Sequence, residues 1–387
     1  MPQTERPMQQ RLREEIADVA LAFRGYNVTN LGRTAELLAV PAYAAILREE
    51  LARYSLICSE YTSTRVDLEK TVLEGDEPNL ARYAESIALI TAVEIAQLRL
   101  LREVHGIDYA AAKLSFGYSL GEMVAVCTSG AFPAEELVRV PLAMAADCAD
   151  LARDAEMGVL FSRAGIIPES EIRRLCAETT REGYGTVGIS SVLSPNTYLV
   201  IGQGYAVDHL KEKLATGIPG AHMRINEHRW PPLHTPIVRQ RHVPDRAAVL
   251  IERLSLGPLP LKPPIVSLVT GKRSYEPHTA RELLRQWIDH PQRLWDAVCE
   301  TLSCGANIVL HIGPEPNLVP ATFTRLAENI RQQTNGRNFN GYRMKALSGM
   351  MRRPWLASLL PARTALLRAP HIKQIILEDW LLEHAPK

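Results

Sequence analysis

The sequence predicts an α/β fold that carries a smaller, mostly antiparallel subdomain as an insertion. Three observations lead there. A strand-like run, Ala110 to Phe116, meets the turn Gly117-Tyr118-Ser119-Leu120-Gly121 and then a helical stretch from Glu122 to Ser129, the strand–turn–helix step of an α/β unit. Between Met157 and Asn226 the order is strand, helix, strand, strand, helix, strand, the split βαβ pattern of a ferredoxin-like unit. Past that stretch, KPPIVSLVTG (262–271) and NIVLHI (307–312) read as further buried strands, separated by a helix over 278–303.

The other elements follow in order. Residues 8–22 are charged and read as a helical N-terminal extension, and LAFRGYNVTNLG, Leu21 to Gly32, reads as a short strand and a Gly/Asn-rich loop. Helical periodicity occupies 34–53, 78–104 and 134–154. Within the insertion, PESEIRRLCAETTREG has Pro168 at its start and Gly183 after its end, the usual punctuation of a helix. TVGISSVL and TYLVIGQ are strands joined around Ser194-Pro195-Asn196. The final segment, Arg-rich up to Lys373, reads as helices packed on the main body.

Composition narrows the function classes. The chain has 387 residues, is 46% hydrophobic and carries a formal net charge of +1. It is long enough to bury a large core, and its charge balance does not point to nucleic acid. No apolar run reaches the length of a membrane span, and the N-terminus has no apolar signal-peptide region. Six scattered cysteines without a C-x-x-C pair suit reduced thiols in a cytoplasm and indicate neither a disulfide framework nor a metal site. No metal or redox cofactor is indicated.

The chemistry sits at G-x-S-x-G. A serine hydroxyl is a poor nucleophile at neutral pH and needs a base and an oxyanion site. Glycines at 117 and 121 permit a tight turn and close packing of helix on strand. The turn then exposes Ser119 at a helix N-terminus, where the Leu120 N–H can meet an oxyanion. Ser119 is either a nucleophile or part of a structural elbow on this evidence. Eleven histidines are available as its base. His234, in EHRWPPLHTPIV, lies just past the insertion between two prolines that fix the local backbone.

An ordered set of motifs resembles the malonyl-CoA:acyl-carrier-protein transacylase family, which includes the acyltransferase domains of polyketide synthases. Gly117-Tyr118-Ser119-Leu120-Gly121-Glu122 is similar to its G-H-S-x-G-E, and Gly130-Ala131-Phe132 to the turn that follows. LSPNTYLVIGQG, LHTPIV, PIVSLVTG, HPQRLW and HIGPEPNL then match family pieces in family order, over about Leu21 to Ile330. The resemblance implies an α/β-hydrolase-like large subdomain, 21–155 and 228–333, with an inserted ferredoxin-like small subdomain, 156–227. Extensions 1–20 and 334–387 flank it. It also implies Ser119 as nucleophile and His234 as its base. His234 would be steadied by the backbone carbonyl at Trp287, and the N–H groups of Leu120 and Tyr26 would form the oxyanion site.

The implied reaction moves an acyl group from CoA, or from a carrier protein, to an acyl carrier protein in fatty-acid or polyketide synthesis. Acyl-CoA and phosphopantetheine are substrates and no cofactor is needed. A thioesterase or hydrolase on the same scaffold, and a non-catalytic synthase subunit, are the alternatives. The sequence departs from the family at four places. Its F-P-G-Q-G-S-Q loop is Phe23-Arg24-Gly25-Tyr26-Asn27-Val28-Thr29; Tyr118 replaces a histidine; Pro231-Pro232-Leu233 precedes His234; and Pro141 stands where the family's carboxylate-binding arginine would be. Losing such a charge pair costs on the order of 2–5 kcal/mol of binding, so a neutral acyl group is expected in a pocket lined by Tyr118, Pro141 and Leu233. Arg139 is the candidate substitute cation. A basic rim for CoA or an acidic carrier is sought in Arg352, Arg353, Arg363 and Arg368, a run that a solvated basic face also explains.

Overall fold

The computed structural model describes residues 12–163, 165–258, 260–334 and 365–386. Among these, eight strands form two four-stranded sheets. In chain order they are β1 (Val19–Phe23), β2 (Leu114–Gly117), β3 (Ala155–Ser162), β4 (Val187–Ser194), β5 (Thr197–Gln203), β6 (Ala221–Ile225), β7 (Ile308–Ile312) and β8 (Lys373–Ile376).

The first sheet has the order β2-β1-β7-β8, every pair parallel. VALAF and IVLHI are buried throughout, as expected of parallel strands covered on both faces. Alternation along β1 divides the core in two. Val19, Leu21 and Phe23 join the apolar residues of α1 (Pro41–Ser59) and α2 (Tyr83–Glu103). Ala20 and Ala22 face the cluster that holds Leu294, Ala297, Val319 and Phe323. α3 (Leu120–Thr128) leaves the end of β2, and α4 (Arg139–Ala152) leads towards the second sheet.

That sheet has the order β4-β5-β3-β6 and is antiparallel. α5 (Glu169–Arg181) and α6 (Ala206–Gly217) cover one face, where Leu160, Tyr198 and Val200 meet Ile172, Leu175 and Leu210. Period-2 alternation turns Met157, Val159, Leu199 and Ile201 to the other face, towards the first sheet. A bridge from Ser191 to Gln292 ties the two bodies together.

Four expectations change. The helical reading of 8–22 gives way at Val19, where β1 begins; a short apolar run next to a charged helix has no periodicity of its own to separate it. The final segment is not helical only: β8 pairs with β7 and completes the sheet edge before α7 (Leu377–Glu383), while 335–364 and 1–11 lie outside the described residues. The stretch 262–271 is buried at Ile265, Val266 and Leu268 but is no regular strand, touching β2 through one bridge at Ser115. The helix expected over 278–303 is two helices, Ala280–Asp289 and Leu294–Ser303, interrupted at His290-Pro291. Proline at 291 removes a donor and disfavours helical backbone at His290. No described helix is long and apolar enough to cross a membrane, and no group of His, Cys, Asp and Glu among the described residues is placed to hold a metal ion.

Candidate active site

Close packing at the end of β2 sets the elbow. A Cβ on Gly117 would lie 2.0 Å from the Gly121 carbonyl, and one on Gly121 would lie 2.4 Å from the Arg24 oxygen. Neither position admits a side chain. The crossing drives Ser119 to φ 53°, ψ −118°, a conformation that costs a non-glycine residue about 1–3 kcal/mol and persists only where the surroundings enforce it. Three contacts enforce it here. The Ser119 N–H donates to Gln292 Oε1 at 3.1 Å, the Ser119 carbonyl accepts from the Trp287 indole N–H at 3.0 Å, and the same carbonyl takes the Glu122 N–H at 2.9 Å inside α3.

His234 arrives from the opposite side. The Thr235 hydroxyl donates to the Pro232 carbonyl at 2.6 Å, the His234 N–H donates to Ile288 O at 2.8 Å, and φ at His234 is 65°. Its Nε2 lies 2.8 Å from Ser119 Oγ, and its Nδ1 lies 2.7 Å from the Trp287 carbonyl. A carbonyl only accepts. Nδ1 therefore carries the proton, and the Nε2 lone pair faces the serine hydroxyl. Burial holds the His234 pKa down at about 4, against the opposing pull of the Trp287 carbonyl and Asp289, so the ring is neutral at ordinary pH and suited to accept a proton.

Ser119 and His234 open onto a cavity of about 410 Å³. Gly25, Tyr26 and Tyr118 line it near the serine; Met157, Val159, Leu199 and Ile201 of the second sheet form an apolar wall; Trp230 and Leu233 close a further side. Arg325, exposed, is the one charged residue of that lining among the described residues. The Tyr26 ring meets Tyr83 edge-on at 4.9 Å and Trp230 at 6.0 Å.

The expected residues divide. Ser119, His234 and the Trp287 carbonyl converge, and Leu120 begins α3 beside them. Tyr26, Tyr118 and Leu233 line the cavity. Pro141 does not: it lies in the first turn of α4, behind α3, against Leu120, Met123 and Val138. Arg139 is no substitute, because Glu60 holds its guanidinium at the surface. Arg368 is not on a basic rim; it is buried and donates to the carbonyls of Leu302 and Ala306. Arg352, Arg353 and Arg363 lie outside the described residues.

Sequence reasoning missed Gln292, 173 positions from the serine it touches, and the Trp287 indole. It also missed the structural weight of Glu122. That buried carboxyl, pushed up to about 7 by burial, accepts from Leu268 N–H at 3.1 Å and from the Tyr275 hydroxyl at 2.9 Å, and so fixes the 265–275 loop behind the elbow. Only its place in the motif signalled it.

No protein-family model matches the chain. The polyketide synthase GfsA of Streptomyces halstedii is 26% identical over 315 residues, which is 78% of this chain. The chain spans 6% and 4% of the length of the curated relatives it matches. Among solved structures, the malonyl-CoA:acyl carrier protein transacylase of Xanthomonas oryzae pv. oryzae superposes with a TM-score of 0.63 at 18% identity, covering 96% of this chain and 99% of that one. A malonyl-transacylase solved in complex with its type II polyketide acyl-carrier protein gives 0.61 at 23% identity, over 79% and 91%. The structural neighbours are thus malonyl-CoA:acyl carrier protein transacylases, and the chain shares their mixed α/β fold.

Proposed function

We propose that the protein is an acyltransferase that works through an acyl-serine intermediate, on an α/β-hydrolase-like large subdomain with a ferredoxin-like insert. The observation that carries this reading is the relay from Ser119 Oγ through neutral His234 to the Trp287 carbonyl, at the end of a strained elbow and inside a largely apolar cavity. Ser119 Oγ attacks the thioester carbonyl of an acyl-CoA while its proton passes to His234 Nε2. The C–S bond breaks, and the CoA sulfur leaves with the electron pair and takes the proton from His234. The phosphopantetheine thiol of an acyl carrier protein then attacks the ester, and the same proton route runs again to free Ser119. The N–H groups of Leu120 and Tyr26 receive the oxyanion; neither meets another acceptor among the described residues. The motif resemblance and the polyketide synthase relatives support fatty-acid or polyketide synthesis as the setting.

The transferred group is a neutral acyl chain. The lining includes Met157, Val159, Leu199, Ile201 and Leu233, and among the described residues its one charged side chain, Arg325, is exposed. A malonyl carboxylate in such a site would lose its water without a buried partner. Incubation with malonyl-, acetyl-, hexanoyl- and benzoyl-CoA, followed by intact mass, tests both points. A neutral acyl adduct absent from Ser119→Ala is expected. Malonyl as the preferred adduct overturns the choice of acyl group; free acid released in place of acyl-carrier protein, with a carrier supplied, moves the activity to hydrolysis; no adduct and no product overturns the acyltransferase.

A further inference from the structure

We infer that Arg24 is a positioning residue for the oxyanion site, acting through the peptide that joins Gly25 to Tyr26. The inference rests on the acyl-serine reading above. Arg24 stands where the resembling family has a proline. It is 1% exposed, and its own N–H donates to Glu94 Oε1 at 2.9 Å and to Ile312 O at 3.2 Å. Its guanidinium turns back over the loop it begins. Nε donates to the Gly25 carbonyl at 2.8 Å, Nη2 to Asn30 Oδ1 at 2.8 Å and to Thr29 O at 3.3 Å, and Nη1 to the Pro314 carbonyl. Burial lowers its pKa to about 10, with nearby Glu94 pulling the other way, so it remains a cation.

The Nε contact has a geometric consequence. A trans peptide is planar, and its N–H points opposite to its C=O. Holding the Gly25 oxygen towards Arg24 therefore sends the Tyr26 N–H the other way. Gly25 abuts the nucleophile: a Cβ there would lie 2.5 Å from Tyr118 O and 3.1 Å from Ser119 Cβ. Gly25 and Tyr26 both line the cavity at Ser119, and the Tyr26 N–H has no acceptor among the described residues. The donor is held in place before substrate arrives, which is the condition under which an oxyanion contact lowers a barrier. Here one buried side chain supplies that orientation.

Two substitutions separate orientation from simple bracing. Arg24→Gln places an N–H donor four bonds from Cα, where arginine has Nε, while Arg24→Met places a methyl there. Both remove the charge and the outer contacts to Asn30, Thr29 and Pro314. The probe is p-nitrophenyl butyrate. Ser119 Oγ bonds to its carbonyl carbon, the C–O bond to p-nitrophenolate breaks, and the serine proton goes to His234. The burst of p-nitrophenolate is read together with the intact mass of acyl-Ser119 and with thermal unfolding. Arg24→Met is expected to slow acylation about 10- to 100-fold with KM unmoved, and Arg24→Gln to recover the greater part of that loss at a similar melting temperature. Should both variants fail to fold, Arg24→Lys, which keeps the charge but has carbon in place of Nε, is expected to show the same slow acylation. Equal rates in Met and Gln variants, or a wild-type rate in the lysine variant, overturn the assignment of Arg24 alone. A wild-type burst that persists in Ser119→Ala, or no burst at all, overturns the acyl-serine reading and this inference with it.

Discussion

Acidification probes the state of His234. Burial takes its pKa from 6.5 to about 4, a difference of about 3 kcal/mol in favour of the neutral ring in the native fold. An unfolded chain takes up this proton near pH 6.5, the native protein only near 4. Between those values the unfolded state binds more protons, so the stability from this group is complete above about 6.5 and is lost as pH falls towards 4. His105, held at about 4, and His311, at about 3, are also depressed by burial and steepen the same slope. Glu122 works the other way: its carboxyl keeps a proton up to about 7 in the native state, so its contribution is lost as pH rises through that value.

Activity isolates His234 from the other groups, because only a neutral imidazole can take the Ser119 proton. The acylation rate with p-nitrophenyl butyrate is expected to fall on the acid side with a pKa near 4. At about pH 5.5 nearly all of the protein would still be competent, whereas a histidine at its ordinary value would leave about a tenth. An acid limb centred near 6.5, in protein shown to be folded by circular dichroism at the same pH, would refute the argument that burial sets the base.

Further expectations concern single contacts. Trp287→Phe removes the indole donor to Ser119 O but keeps the carbonyl on His234; urea unfolding should show a loss of about 1–3 kcal/mol, with the acid limb of the pH profile unmoved. Gly25→Ala puts a methyl 2.5 Å from Tyr118 O, and the displaced elbow should lower the burst rate at least about tenfold, far more than it lowers the melting temperature. Arg325→Ala removes the exposed cation of the cavity and should raise KM for acyl-CoA about two- to fivefold, the scale of an exposed charge contact, with kcat unchanged in a thiol-release assay.

How far the sequence could be read depended on whether a constraint was local. Gly117, Ser119 and Gly121 were legible because the crossing of β2 and α3 is built within five residues and excludes a Cβ at both ends. The βαββαβ order of the insert was legible because each element has its own period and its own punctuation. His234 and the Trp287 carbonyl became legible only through motif resemblance, since nothing near Ser119 in the chain specifies them. Gln292 stood inside the HPQRLW piece, but its role could not be read there because it is one amide oxygen aimed at one N–H across the molecule. Pro141 was placed in the pocket only through the family's arginine position, whereas in this fold it lies with Leu120, Met123 and Val138 behind α3 and not in the cavity lining. β8 was missed because a four-residue edge strand, Lys373–Ile376, carries too little alternation to stand apart from its neighbours.

The two-faced sheet of the insert has a consequence for engineering. Leu160, Tyr198 and Val200 belong to a core that the insert makes with its own helices, whereas Met157, Val159, Leu199 and Ile201 look into the cavity. Along β3 and β5, then, neighbouring residues answer to different demands, one set to the insert's own core and the next to the cavity at Ser119. Under the proposed acyl transfer, a library restricted to those alternate positions of two strands would vary the size of the acyl group accepted while the residues between them keep the scaffold and the serine–histidine relay intact.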